Sequence, residues 1–196
     1  METDGKEYTQ PLIIKSTENL EAYYFDNKQL QSSVAQKLIF SKATGRKVTL
    51  TKPPMENYPG DGPFTLVNGV LNEKGLSVSK EILGFTETDC EAVIDLGKPQ
   101  TISTVIVHAL GQGGSRVYPP KSVEVFTSTD GKKFISQSQG TEFVNTSATN
   151  GTMTVTFPPL STRFVKVLVK NMGKVPEGKP GAGNPVLMLI DEIEVN

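Results

Sequence analysis

Few side chains in this 196-residue chain have the type and spacing that covalent or acid–base chemistry requires. Cleaving a glycosidic bond takes two positioned carboxyl groups, or one together with a participating substrate amide. Asp191 and Glu192 are adjacent, so on a strand they point to opposite faces and cannot flank one bond. His108 is the only histidine. It has no serine or cysteine partner at a recognisable spacing and reads as a strand-face residue rather than a general base. Cys90 is the only cysteine, so no internal disulfide forms. Its neighbours Asp89 and Glu91 raise a thiol pKa instead of activating it. Gly111-Gln112-Gly113-Gly114 runs into Arg116-Val117-Tyr118-Pro119-Pro120, which cannot open the helix that a phosphate loop needs.

Composition narrows the field further. Hydrophobic residues make up 36% and charged residues 21%, enough for a buried core and unlike a disordered chain. Twenty basic residues face twenty-one acidic ones, for a net charge of -1. Without a basic stripe, nucleic acid is not an expected partner. The longest apolar run, residues 186–190, is far too short to span a bilayer. No signal peptide precedes the first strand pattern, so the chain is cytosolic or its export signal lies on an upstream part.

The elements that must position any site are strands. Ala92, Ile94 and Leu96 share one face of a stretch beginning at Glu91. Val105 and Val107, Val123 and Val125, then Met153, Val155 and Phe157, and Val165, Val167 and Val169 repeat the period of two, before an apolar-then-acidic strand from Leu187 to Val195. Such alternation with β-branched residues predicts half-buried antiparallel strands. Gly97-Lys98-Pro99, Asp130-Gly131, Pro158-Pro159 and residues 173–185 punctuate them, and the spacing favours a sandwich. Helix is expected at most briefly, over 18–22 or 28–36. Residues 45–63, rich in Gly and Pro, read as a linker and entry loop. Upstream of it, strands over 11–15, 20–25 and 36–40 give a thin core. Thr3-Asp4-Gly5 reads as a hairpin turn lacking its first strand, so the chain is expected to start inside a domain. The Tyr23-Tyr24-Phe25 run alternates across a strand and is expected to pack at a core and an edge.

From residue 47 onward the chain resembles the coagulation factor 5/8 C-terminal (discoidin) family, whose sugar-binding members are the family 32 carbohydrate-binding modules. The residues that carry the likeness are Phe64-Thr65-Leu66-Val67-Asn68-Gly69, Ile82-Leu83-Gly84-Phe85, Glu91-Ala92-Val93-Ile94-Asp95-Leu96-Gly97-Lys98, Pro120-Lys121-Ser122-Val123-Glu124-Val125, Ser128-Thr129-Asp130-Gly131-Lys132-Lys133-Phe134, Arg163-Phe164-Val165-Lys166-Val167 and Ile190-Asp191-Glu192-Ile193-Glu194-Val195. The stretch from Lys170 to Gly183 is similar to the tail of bacterial family 20 β-hexosaminidases. Thr3-Asp4-Gly5, Tyr8-Thr9-Gln10-Pro11-Leu12 and Leu20-Glu21-Ala22-Tyr23 resemble the chitobiase C-terminal domain of those enzymes. The resemblance implies an all-β chain: a partial Ig-like small β-sandwich over 1–46, then a discoidin-type antiparallel β-sandwich (jelly roll) over 47–196.

The same resemblance implies a non-catalytic carbohydrate-binding accessory module from the C-terminal part of a secreted, β-hexosaminidase-like glycoside hydrolase. Its partners would be a glycan containing N-acetylhexosamine or galactose and the upstream catalytic domain. Its location would be periplasmic, outer-membrane-associated or secreted. It further implies one structural Ca²⁺, held by the Leu66 carbonyl, Asn68, oxygens at Ser79 and the Glu192 carboxylate. Asn68 stands where the family usually has Asp, which removes a charge and weakens such a site. The candidate sugar contacts are Phe85, His108, Arg116, Tyr118 and Asn184, and Arg116 and Tyr118 share a face if the chain is extended there. The chain has no tryptophan. Ile82, Arg116 and Leu187 occupy places where hexosaminidase-linked relatives usually carry one. Their loss favours a rival reading, a structural or protein-interaction domain that braces the catalytic domain without a sugar site.

Overall fold

The computed structural model describes residues 5–72, 75–77, 79–111 and 116–196, with only the backbone of Ser77 and Ser79. Thr3 and Asp4 of the expected N-terminal turn, Gln112 to Gly114 of the glycine loop, and the Ser79 hydroxyl lie outside the described residues.

Two 21-residue strands, β6 (Cys90–Leu110) and β10 (Asn150–Lys170), organise the molecule. The sequence suggests that each is two strands with a break between. Instead, the breaks are corners within continuous strands. β6 buries Cys90, Ala92, Ile94 and Leu96, turns through exposed Gly97-Lys98-Pro99, then buries Ile102, Val105, Val107 and Ala109. β10 does the same on either side of exposed Pro158 and Pro159. Its register slips at the corner, between Thr156 and Leu160 and again between Thr162 and Phe164.

The ladders divide at these corners. The first half of β6 pairs with the second half of β10 and with β3 (Lys47–Leu50), and β10 continues to β7 (Ser122–Ser128) and β8 (Ile135–Gly140). The second half of β6 pairs with the first half of β10 and with β11 (Leu187–Val195), which in turn pairs with β5 (Leu83–Thr86), while β9 (Phe143–Asn145) joins β10. All of these pairings are antiparallel. The two layers close on one apolar core in which Ile94, Val107, Val125, Val155, Val167 and Ile193 meet. A short strand, β4 (Gly60–Pro63), sits in the entry loop. Cys90 lies in the core as a free thiol, and burial, ahead of the charges of Asp89 and Glu91, pushes its pKa far up.

A fork holds the corner. Arg163 donates from Nε and a terminal nitrogen to the two oxygens of Asp95, each at 2.8 Å, and the Gly97 N–H donates to Asp95 Oδ1 at 2.8 Å. The Arg163 hydrogen bonds hold the Asp95 carboxyl below its usual range.

Upstream, β1 (Glu18–Asp26) and β2 (Gln29–Leu38) form an antiparallel hairpin with its own two-stranded sheet. Asn27 and Lys28 take φ of 48° and 66°, the left-handed pair that tight hairpin turns demand. No helix covers 18–22 or 28–36, and residues 11–15 are not a strand. The described residues before 39 therefore show one hairpin rather than a small sandwich. Tyr23, Tyr24 and Phe25 are exposed rather than packed. Residues 39–46, expected in the small domain, belong to the sandwich. Ala43 is fully buried in its core, and backbone bonds run from Ile39 to Gly69, Lys42 to Val195 and Gly45 to Val67. No helix among the described residues is long and apolar enough to cross a membrane.

Two outcomes are expected. Ile94→Ala, at a fully buried position, should lower unfolding free energy by about 2–5 kcal/mol, read as a fall in the denaturant midpoint. The lowered Asp95 pKa adds stability above the ordinary carboxyl range that is lost as pH falls through the folded-state value. Asp95→Asn should therefore be less stable at neutral pH and flatten the acid limb of a melting-temperature profile.

Candidate functional site: a cleft over a small second core

Ile82, Leu110, Val117 and Leu189 form a second, smaller buried cluster, with Tyr58 and Leu187 packed on its outer side. Above it opens a cleft of about 340 Å³ lined by Met55, Asn57, Tyr58, Leu76, Arg116, Val117 and Leu187. Tyr58 comes from the Gly/Pro-rich segment that the sequence presents as a linker. Its position is fixed by backbone bonds to β5: Met55 N–H to Gly84 O at 2.8 Å, and Gly84 N–H to Tyr58 O at 2.9 Å. Gly84 is required by close approach, because a Cβ there would lie 2.7 Å from Tyr58 Cβ. Leu83-Gly84-Phe85 is thus the seat of an aromatic residue far away in sequence. Val117 bridges in parallel to Leu187, and the Leu187 N–H donates to Arg116 O at 2.8 Å, which sets Arg116 on the rim.

The expected sugar contacts separate into three groups. Arg116, Tyr118 and Asn184 gather on the 173–185 loop. Arg116 Nε donates to Pro185 O at 3.1 Å, Tyr118 OH to Pro180 O at 3.3 Å, and Asn184 Nδ2 to Gly181 O at 3.0 Å. Of these three, only Arg116 lines the cleft. Phe85 is 1% exposed within the main core. Its ring is a core side chain and offers no sugar platform, because the β5 register with β11 turns it inward. His108 lies elsewhere, its Nε2 2.6 Å from Glu194 Oε1, and this hydrogen bond lowers the Glu194 pKa. It lines a separate polar cavity of about 390 Å³ with Lys37, Asn150 and Asp191.

Ile82, Arg116 and Leu187, the three places at which the sequence resemblance leads one to expect tryptophan, come together in space. Ile82 is under the cleft, and Arg116 and Leu187 are on its walls. The region has an aliphatic floor and a charged rim. Tyr58 and Asn57 were not legible as site residues, since nothing local in Asn57-Tyr58-Pro59-Gly60 tells of its pairing with Gly84.

Both members of the acidic pair are buried. A bulge between Ile190 and Glu192 leaves Asp191 out of the β6 ladder. Asp191 accepts from Asn72 N–H at 2.8 Å, and burial pushes its pKa up to about 6. Glu192 Oε2 accepts from Gly69 N–H at 2.9 Å, and burial raises its pKa to about 9. Gly69 holds φ +78°, and a Cβ there would meet Ile39 O at 2.5 Å, so this turn tolerates no larger residue. Asn68 Oδ1 accepts from Val70 N–H at 2.8 Å, which closes the loop locally. Glu192 Oε1 is buried and has no hydrogen-bond partner among the described residues. An orphan carboxylate oxygen beside a loop rich in carbonyls suits a hard cation with oxygen ligands. No group of three or more His, Cys, Asp or Glu side chains gathers among the described residues, so backbone and amide oxygens would have to complete such a set.

Residues 85–181 match the family described as F5/8 type C domain. No curated protein matches the chain. Solved structures of similar fold include chitosan-binding module 1 derived from a chitosanase/glucanase of Paenibacillus sp. IK-5, with 14% identity, TM-score 0.50, and coverage of 80% of this chain and 98% of that one. CpGH89CBM32-5 from Clostridium perfringens, in complex with GalNAc-β-1,3-galactose, is 18% identical with TM-score 0.54 over 80% of this chain and 99% of that one. The lectin domain of lectinolysin, complexed with Lewis B antigen, is 19% identical with TM-score 0.53 over 80% and 96%. At these identities the likeness is one of fold. The two-layered antiparallel sandwich thus has a discoidin-like fold, and the F5/8 type C match covers residues 85–181 of it.

Proposed function

We propose that the protein is a non-catalytic carbohydrate-binding module and that the Tyr58–Arg116 cleft holds the sugar. One observation carries the reading. The cleft sets an aromatic ring and an aliphatic wall beside polar groups, Asn57, Arg116 and the Tyr58 hydroxyl, whose hydrogen-bonding capacity is largely unused among the described residues. A sugar needs that combination: its C–H face packs on a ring while its hydroxyls take donors and acceptors. The ligands named for the similar folds, GalNAc-β-1,3-galactose and Lewis B antigen, support a glycan containing N-acetylhexosamine or galactose. The chain also matches 26% of a Ruminococcus gnavus GH29 fucosidase, which supports a parent glycoside hydrolase, here of the β-hexosaminidase type with the chitobiase-like region upstream. Affinity would then come from tethering, and the protein would work in the periplasm, at the outer membrane or outside the cell.

A structural Ca²⁺ belongs to the same proposal. Glu192, the Asn68 side chain, the Leu66 carbonyl and oxygens at Ser79 would hold it, and the ion would supply the countercharge that the buried carboxylate lacks. It would stabilise by binding the folded state alone.

Tyr58→Ala should weaken retention on a galactose- or N-acetylhexosamine-bearing gel roughly tenfold, whereas Tyr58→Phe keeps the platform. Equal retention by Tyr58→Ala would remove the ring from the site. For calcium, the raised Glu192 pKa is a cost that grows from the ordinary carboxyl range up to about pH 9. Glu192→Gln should therefore be at least as stable as the parent at pH 8 in chelator. Calcium should raise the melting temperature of the parent and leave that of Glu192→Gln unmoved. A parent that ignores calcium would leave the loop without an ion.

A further inference from the structure

Arg116 is the charged side chain in the lining of the cleft. A guanidinium carries five N–H donors and no acceptor. Its Nε–H is spent on Pro185 O at 3.1 Å. The four donors on the terminal nitrogens have no acceptor among the described residues, and no carboxylate pairs with Arg116 there. The Nε bond also ties the side chain to the rim, so less freedom is lost when a ligand arrives. Around it the walls are Val117, Leu187, Leu76 and Met55, and the other polar side chains of the lining, Asn57 and Tyr58, are neutral. A neutral sugar hydroxyl takes up one donor of the fork and leaves the guanidinium charge unpaired, whereas Asn57 and the Tyr58 hydroxyl suffice for the neutral hydroxyls of the same sugar. A planar group with acceptors alone matches the fork.

We infer that the Tyr58–Arg116 cleft selects carboxylate-bearing saccharides, with the acid group on the terminal nitrogens of Arg116 and the sugar face on Tyr58. This inference rests on the carbohydrate reading above and narrows it to uronic and sialic acids.

Native-gel retardation at physiological ionic strength, where long-range attraction is screened, tests it with paired polymers. One pair is polygalacturonate and its carboxyl-reduced form, and the other is sialylated mucin and desialylated mucin. The expected result is retardation by at least one acidic polymer, at least fivefold weaker with its neutral counterpart and with Arg116→Gln, whose melting temperature should match the parent. Arg116→Lys, which keeps the charge and loses the fork, should fall between. If neutral counterparts retard the parent as strongly, or Arg116→Gln binds the acidic polymer unchanged, the acid preference is wrong while the carbohydrate reading survives. If no polymer in either pair retards the protein and a wider set of neutral glycans also fails, both are wrong.

Discussion

The structure depends on one constraint: two strands must stay hydrogen-bonded to each other while both turn from one layer into the other. Regular alternation cannot continue through such a corner, because side chains that face the core before the turn must face it again afterwards. β6 meets the demand with Gly97-Lys98-Pro99, and β10 with Pro158-Pro159 and two register slips. The Asp95–Arg163 fork ties the two strands beside the bend. The other strands of the larger sheet are attached to this pair, directly or through a neighbour. β7, β8 and β3 extend one layer, while β11, β5 and β9 extend the other.

The cleft follows from the outer end of that arrangement. β5 is a four-residue edge strand, and its Gly84 lends both backbone groups to the 55–58 segment. A loop without regular structure is thereby fastened to the sheet edge by two backbone hydrogen bonds. The small cluster beneath is made of aliphatic side chains, and Arg116 sets a charge on the rim above it. The acidic end of β11 serves a different purpose. There, two buried carboxylates receive backbone N–H groups from the 69–72 segment and fasten that loop to the sheet.

The alternation that placed Ala92, Ile94 and Leu96 inside was legible because period-two burial is a local property. The unity of β6 and β10 was not, since Gly97-Lys98-Pro99 and Pro158-Pro159 carry the same signal for a corner as for a turn. Arg116 stood out as a candidate from its chemistry alone, and the structure places it on the rim of the cleft. Phe85 misled because an aromatic next to Gly84 looks like a surface motif, whereas the glycine exists to admit Tyr58 and the phenyl ring faces the core. Residues 39–46 misled for a related reason. Thr44-Gly45-Arg46 resembles a linker, yet Ala43 fills a core position that only the assembled sandwich creates. The hairpin over 18–38 was read as two partial strands with a hint of helix, because its turn, Asn27-Lys28, lacks the glycine that usually marks such a bend.

The single thiol has a consequence for where such a molecule can survive. An unpaired cysteine on a protein bathed in oxidant invites mixed disulfides and covalent dimers, since exchange runs through an accessible thiolate. Cys90 offers neither access nor thiolate: it lies opposite Val169 in the β6–β10 ladder with none of its surface reaching water. Until the sandwich opens, the sulfur behaves as a small hydrocarbon, and the protein can persist in an oxidising environment without a partner for it.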